Sequence, residues 1–267
     1  MRAKCLLRSR ALKFLYTYDS AKVIILGIPF EAKHYRDVSG TAKATRAIRR
    51  AFENHYGYDL DSKLDVWELE ICDLGDVKVA KSYEETKRRV KEVIGEVLSV
   101  NPSARLLCLG GDHLITSMTA SALKIKKLVS FDAHLDLMKA SPFSLYEHAT
   151  AMHKIASFGT KVAIYGVREA SEIEVKNARK LKVKWSKNLP RKKLKCDYLS
   201  IDIDVLDPCY VSSTSPVALG FSLRELLEAI EKVSFRHADI VEFLPNYGEA
   251  QVAMLFMKLL IKLATME

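Results

Sequence analysis

Short, largely apolar runs alternate with stretches of helical spacing along most of the chain. The runs at residues 22–28 (KVIILGI), 105–109, 128–131, 162–167, 198–203 and 239–243 have the character of strands buried on both faces of a parallel sheet. Between them, apolar residues spaced three and four apart predict helices over about 42–56, 83–97, 115–125, 170–179, 223–233 and 250–264. In the first of these, Ala44, Ala47, Ile48 and Ala51 face inward and the arginines outward. The last is apolar on nearly all sides and is expected to be buried. Ser82 and Ser222 each stand three residues before a glutamate, Glu85 and Glu225, which is capping-box spacing. Asn101-Pro102 ends the second helix. Residues 66–71 and 77–79 are expected to be two strands divided by a turn at Asp73–Asp76. The β-α alternation implies the α/β class: a single three-layer α/β/α domain over residues 1–267, with a mostly parallel sheet. No repeat, low-complexity tract or linker interrupts it.

Composition narrows the class a little further. With 49% hydrophobic and 28% charged residues, the chain has the balance of a soluble globular protein. No apolar run reaches the ~18–20 residues that span a bilayer, so no membrane partner is expected. Residues 1–18 are basic and lack a clean apolar stretch, and are read as part of the fold. The five cysteines, at 5, 72, 108, 196 and 209, form no C-x-x-C pair. That points away from thiolate zinc and disulfides and toward reduced thiols in the cytoplasm. The net charge of +9 is densest over 176–195, around Arg191-Lys192-Lys193. No aromatic-basic interleaving or helix-turn-helix accompanies it, so a solvated basic surface is expected rather than a nucleic-acid site.

The chemistry gathers just after the strands, where open parallel sheets bind ligands. Asp132, His134 and Asp136 alternate after an apolar run, so in extended chain they share one face. Burying such groups together is costly and their like charges repel; a multivalent cation removes both objections. The device recurs: His113 follows Gly110-Gly111-Asp112, and Asp202 and Asp204 follow another strand. Read structurally, Gly110-Gly111 is a tight turn and Asp207-Pro208 a corner. Together, four carboxylates and two imidazoles with no thiolate favour Mn²⁺, or Mg²⁺ and Fe²⁺, over structural zinc. Six side chains suit two ions that share carboxylates and activate a water.

These residues carry a family resemblance. GGDHLIT at 110–116, SFDAHLD at 130–136 and SIDIDVLDP at 200–208 resemble the three signature motifs of the ureohydrolases, the arginase–agmatinase family. Gly27-Ile28-Pro29-Phe30, Gly40, Ala47-Ile48-Arg49, the strand ending Gly166-Val167-Arg168, and Val241-Glu242 with Pro245 are similar to flanking family segments. The resemblance implies two Mn²⁺ ions held by His113, Asp132, His134, Asp136, Asp202 and Asp204, and a bridging hydroxide that attacks a guanidinium carbon and releases urea. Asp136 would also orient that hydroxide. Glu242 matches the carboxylate that pairs with the substrate guanidinium, and His148 matches the proton-shuttling histidine, with His153 competing for the role. A homo-oligomer, trimer or hexamer, is implied too.

Several departures from the family pattern are expected to line the pocket mouth. Leu114 replaces a usual Ser, His148-Ala149-Thr150-Ala151 replaces H-G-T-P, and Ala44-Thr45 replaces Gly-Pro. Pro216–Gly220 lacks P-G-G, and Gly248 stands where an Asp is common. None removes a metal ligand. Leu137–Glu147 has few of the hydroxyls and amides with which arginases hold an α-carboxylate, and its length resembles the agmatinase version. Agmatine, cleaved to urea and putrescine in polyamine biosynthesis, is therefore the favoured substrate. Lys139 keeps arginine and guanidino acids as alternatives. A reading of another class is a basic, metal-stabilised binding protein without turnover; His148 and Glu242 facing the metals would argue against it.

Overall fold

The computed structural model describes residues 2–8, 11–32, 40–140 and 148–266. Its centre is a nine-stranded sheet of β1 (Leu7–Arg8), β2 (Val23–Ile28), β3 (Ile71–Val77), β4 (Arg105–Gly110), β5 (Lys127–Phe131), β6 (Lys161–Tyr165), β7 (Lys184–Ser186), β8 (Tyr198–Asp202) and β9 (His237–Val241). The spatial order is β1-β3-β2-β4-β9-β8-β5-β6-β7. β1 runs antiparallel to β3; the other pairings in this sheet are parallel.

Side chains alternate across the sheet with the two-residue period of extended chain. Ile25, Leu107, Ile201 and Ile240 face a layer of α1 (Ala44–Glu53), α6 (Leu223–Glu231) and α7 (Glu249–Thr265). Their neighbours Ile24, Leu106 and Cys108 face α2 (Tyr83–Val100) and α3 (Leu114–Leu123). Leu128, Val162 and Ile164 pack against α4 (Ala151–Ser157) and α5 (Glu172–Leu181). This is the three-layer α/β arrangement the alternation predicts. As expected, α7 is buried; its Phe256 ring meets Phe52 of α1 edge-on at 5.2 Å. No helix among the described residues is long and apolar enough to cross a membrane.

Helix ends follow local chemistry. Ser222 and Glu225 form a reciprocal capping box, as do Ser171 and Glu174 on α5, and Ser82 accepts the backbone N–H of Glu85. One expectation fails. Residues 73–76 are not a turn between strands but the interior of β3, and Val66–Glu68 is a short 3₁₀ turn. The acidic pair imitates a solvated turn, yet both carboxylates point at the buried guanidinium of Arg49, at 2.7 Å from Asp73 and 2.6 Å from Asp76. The edge strands β1 and β7 also escape the periodicity, being two and three residues long and partly polar.

The strand order is what builds the site. β4, β9, β8 and β5 are neighbours, so segments that leave their carboxyl ends converge although they lie far apart in sequence. Gly111 lets the loops after β2 and β4 touch: a Cβ there would lie 1.7 Å from the carbonyl oxygen of Phe30.

Candidate metal centre

Each segment leaving a strand end is tied to its neighbours through the backbone. The N–H of Asp132 donates to the carbonyl of Tyr165 at 2.9 Å. The N–H of Ala133 donates to Asp204 at 2.9 Å, that of His134 to Asp132 Oδ1 at 2.6 Å, and that of Asp204 to Asp202 Oδ1 at 3.0 Å. The carboxylates thus use one oxygen to shape the loops and turn the other inward. Arg168, of the Gly-Val-Arg segment, clamps the chain after β8 by donating to the carbonyls of Asp204 (2.7 Å) and Val205 (3.1 Å).

Two overlapping groups result. His113, Asp132 and Asp202 present atoms within 4.8 Å of one another, and so do Asp132, His134 and Asp204. Asp132 belongs to both. Around His113 Nδ1 stand oxygens of Asp136 at 3.0 Å, Asp202 at 3.2 Å and Asp132 at 3.4 Å. His134 Nδ1 is 2.8 Å from Asp204 Oδ2. The structure therefore brings all six metal-ligand candidates together.

The donor set fits cations. His113 Nδ1 and Asp132 Oδ2 are fully buried and neither has a hydrogen-bond partner, which is rare for buried polar atoms. Burial, then the charges of their neighbours, push the Asp132 and Asp202 carboxyls well above the usual range. Burial opposes charge on His134, yet Asp204, Asp132 and Asp136 hold its imidazole up at about 11. Such a pattern marks a deficit of positive charge at the centre of the cluster.

Glu242, at the end of β9, completes the wall. Its Oε1 accepts the backbone N–H of His113 at 2.6 Å, its Oε2 accepts the Thr214 hydroxyl, and His148 Nδ1 is 3.6 Å from Oε1. Burial alone would lower the His148 imidazole, but the charges of Glu242, Asp136 and Asp112 raise it. His153 follows in α4, with its ring against Ser157 Oγ at 3.3 Å. Glu242 and Asp136 both hold left-handed backbone, φ 63° and 50°. Non-glycine residues take that conformation at a cost that recurs at functional sites.

Sequence reasoning missed Thr214, which lies in an irregular loop and reveals itself only by touching Glu242. Of the departures, Leu114 is the first residue of α3 and is buried in the apolar layer between that helix and the sheet. Gly248 has φ 90°, and a Cβ there would come within 2.7 Å of the Tyr210 carbonyl oxygen, so this backbone has no room for an Asp. Most of Leu137–Glu147, from 141 on, lies outside the described residues. Lys139 is exposed.

Fold and site define an α/β protein with a cluster of acids and imidazoles, suited to metal ions, at the carboxyl edge of its sheet. The model of the arginase family matches residues 21–265. The N(1)-aminopropylagmatine ureohydrolase of Thermococcus kodakarensis is 37% identical over 245 residues, 82% of this chain and 84% of that protein. The agmatinase of Pyrococcus horikoshii is 35% identical over 250 residues, 83% and 86% of the two chains. The agmatine ureohydrolase structure of Thermoplasma volcanium superposes with a TM-score of 0.82 at 23% identity, covering 98% of this chain and 96% of that one. The chain belongs to the arginase family, as its three motifs imply.

Proposed function

We propose that the chain is a binuclear manganese ureohydrolase, cleaving a cationic guanidino compound to urea and the corresponding amine. The favoured substrates are agmatine, giving putrescine, and its N(1)-aminopropyl derivative, in line with the activities named for the two archaeal relatives. The observation that carries the reading is the pair of partnerless buried atoms, His113 Nδ1 and Asp132 Oδ2, inside two overlapping groups that share Asp132.

His113, Asp132, Asp136 and Asp202 would hold one ion, and Asp132, His134 and Asp204 the other. When bound, such ions neutralise the carboxylates, polarise the substrate and lower the pKa of the attacking water. The Glu242 carboxylate, beside His113 and backed by Thr214, accepts the guanidinium N–H groups and fixes the carbon opposite the cluster. Asp136 accepts a hydrogen bond from the attacking water and aims it. The carbon–nitrogen bond to the amine then breaks as His148 delivers a proton to the departing nitrogen and recovers one from the next water. His148 suits this because it stands beside Glu242, whereas the His153 ring faces Ser157.

A single catalytic domain over residues 1–267, a trimeric or hexameric assembly and a cytoplasmic location belong to the same proposal. The decisive experiment is urea release by Mn²⁺-loaded protein from agmatine, N(1)-aminopropylagmatine, arginine and 4-guanidinobutyrate. Higher kcat/KM for the two polyamine-type guanidines is expected. A preference for arginine would overturn the substrate assignment within the family. Tight binding of Mn²⁺ with no urea from any guanidine would favour the non-catalytic binding protein.

A further inference from the structure

Behind the ligand Asp202, the inward alternation of β8 carries polar residues that the proposed chemistry does not use. Tyr198, Ser200 and Asp202 share one face of the strand, while Leu199 and Ile201 join the opposite apolar layer. β9 runs beside it in register, placing Asp239 directly across from Ser200. Thr116 and Thr119 of α3, three residues apart on one helical face, close over the pair. Asp239, Ser200, Tyr198 and Thr116 are all fully buried.

The hydrogen bonds in this set have one consistent direction. Asp239 Oδ1 accepts the Ser200 hydroxyl at 2.6 Å, and Oδ2 accepts those of Thr116 at 2.7 Å and Tyr198 at 2.8 Å. Ser200 has a single proton, which the short bond directs to the carboxylate, leaving its lone pairs toward His113 Nε2, 3.1 Å away. Nε2 must then carry the ring proton. In the neutral ring the opposite nitrogen, Nδ1, turns a bare lone pair toward the oxygens of Asp132, Asp136 and Asp202 at 3.0–3.4 Å. That sets acceptor against acceptors, a repulsion that a cation between them, or a second proton on the ring, removes.

We propose that Asp239, acting through Ser200, is the positioning residue that fixes the tautomer and ring orientation of His113 for metal binding. The proposal rests on reading the cluster as a two-cation centre. Outer partners of this kind tune the affinity of the ligand they hold. His134 is not on this relay; its Nδ1 meets Asp204 directly. The relay therefore acts on the ion beside His113 and not on the one beside His134.

The test is calorimetric titration of chelator-treated full-length protein with Mn²⁺, for wild type, Ser200→Ala, Asp239→Asn and Tyr198→Phe. Ser200→Ala and Asp239→Asn are expected to weaken one of the two binding events by roughly 10–100-fold and leave the other unchanged. Tyr198→Phe removes a donor to Asp239 without breaking the relay, so it should lower the melting temperature and leave both affinities as they were. In ¹⁵N-histidine-labelled, Zn²⁺-loaded protein, His113 should show its proton on Nε2 in the wild type and a mixed or altered signal in Ser200→Ala. Equal weakening of both events, or no change in either, would overturn the relay while the two-ion reading stands. Failure of the wild type to bind a pair of ions would remove that reading and the relay with it. Should Asp239→Asn not fold, Ser200→Ala decides alone, because it leaves the carboxylate two of its three donors.

Discussion

Asp132→Asn is expected to change protein stability in opposite directions with and without metal. Oδ1 of Asp132 accepts the N–H of His134 at 2.6 Å, and an asparagine carbonyl can keep that bond. Oδ2 is buried without a partner, in a cluster with Asp202 and Asp204. An amide NH₂ in its place becomes a donor among acceptors. Removing an unsatisfied buried acceptor relieves about 1–3 kcal/mol, so the chelated variant should be the more stable protein by that amount. With metal the sign reverses, because Asp132 is the residue common to both groups. An ion at 100 times its Kd stabilises by about 2.7 kcal/mol, so two ions would add about 5 kcal/mol that the variant largely forgoes. At roughly 2–4 °C per kcal/mol for a chain of this size, Mn²⁺ should raise the wild-type Tm by roughly 10–20 °C and that of the variant by only a few degrees. In EDTA the variant should melt roughly 2–12 °C above wild type. Scanning calorimetry in EDTA and in excess Mn²⁺ measures all four values. A variant less stable than wild type in EDTA, with an equal gain from Mn²⁺, would refute the account of an uncompensated bridging carboxylate.

His148→Ala should keep both metals and lose turnover by about 10²–10⁴-fold, whereas His153→Ala should be mild; urea assays with metal content measured on each variant compare them. Full activity in the first and none in the second would move the proton shuttle to His153. Arg49→Met leaves Asp73 and Asp76 buried without their guanidinium and should cost about 3–5 kcal/mol in denaturant unfolding, with metal stoichiometry intact in the folded fraction. His237 is buried, its Nδ1 accepts the N–H of Leu106 at 3.0 Å, and burial with Arg236 and Arg105 lowers its pKa to about 3. Its folded pKa lies below the unfolded value of ~6.5, so the unfolded chain binds the extra proton, and the stability present above ~6.5 is lost as pH falls toward 3. The slope approaches ~1.4 kcal/mol per pH unit, and His237→Gln, whose carbonyl can accept the same N–H, should lack it. Parallel acid profiles of variant and wild type would contradict this.

Much of the molecule follows from local pattern. Buried strands show as apolar runs, helices as three-and-four spacing, and helix starts as Ser-x-x-Glu, because each rests on interactions within a few residues. The six candidate ligands were legible for the same reason: charged residues just past apolar runs are unusual, and three motifs in that place point to one edge of a sheet; Glu242 was marked only by the family resemblance of its Val-Glu segment. Other features depend on contacts between distant segments. Asp73 and Asp76 read as a turn until Arg49, 24 and 27 residues away, is seen to neutralise them. Both His148 and His153 suit a shuttle in sequence, and only the packing of α4 and of the 3₁₀ turn before it aims one at Glu242 and the other at Ser157. Thr214 and Asp239 carry no motif of their own, and Ser200, although it opens the third motif, is not marked there by any chemistry; all three acquire meaning from the side chains they meet. Strand order decides the centre itself. Alternating β and α elements permit many orders, and only the one that sets β4, β9, β8 and β5 side by side brings six charged groups within reach of the same ions. That choice is made by which apolar faces pack together over the whole chain, a sum no short stretch of sequence contains.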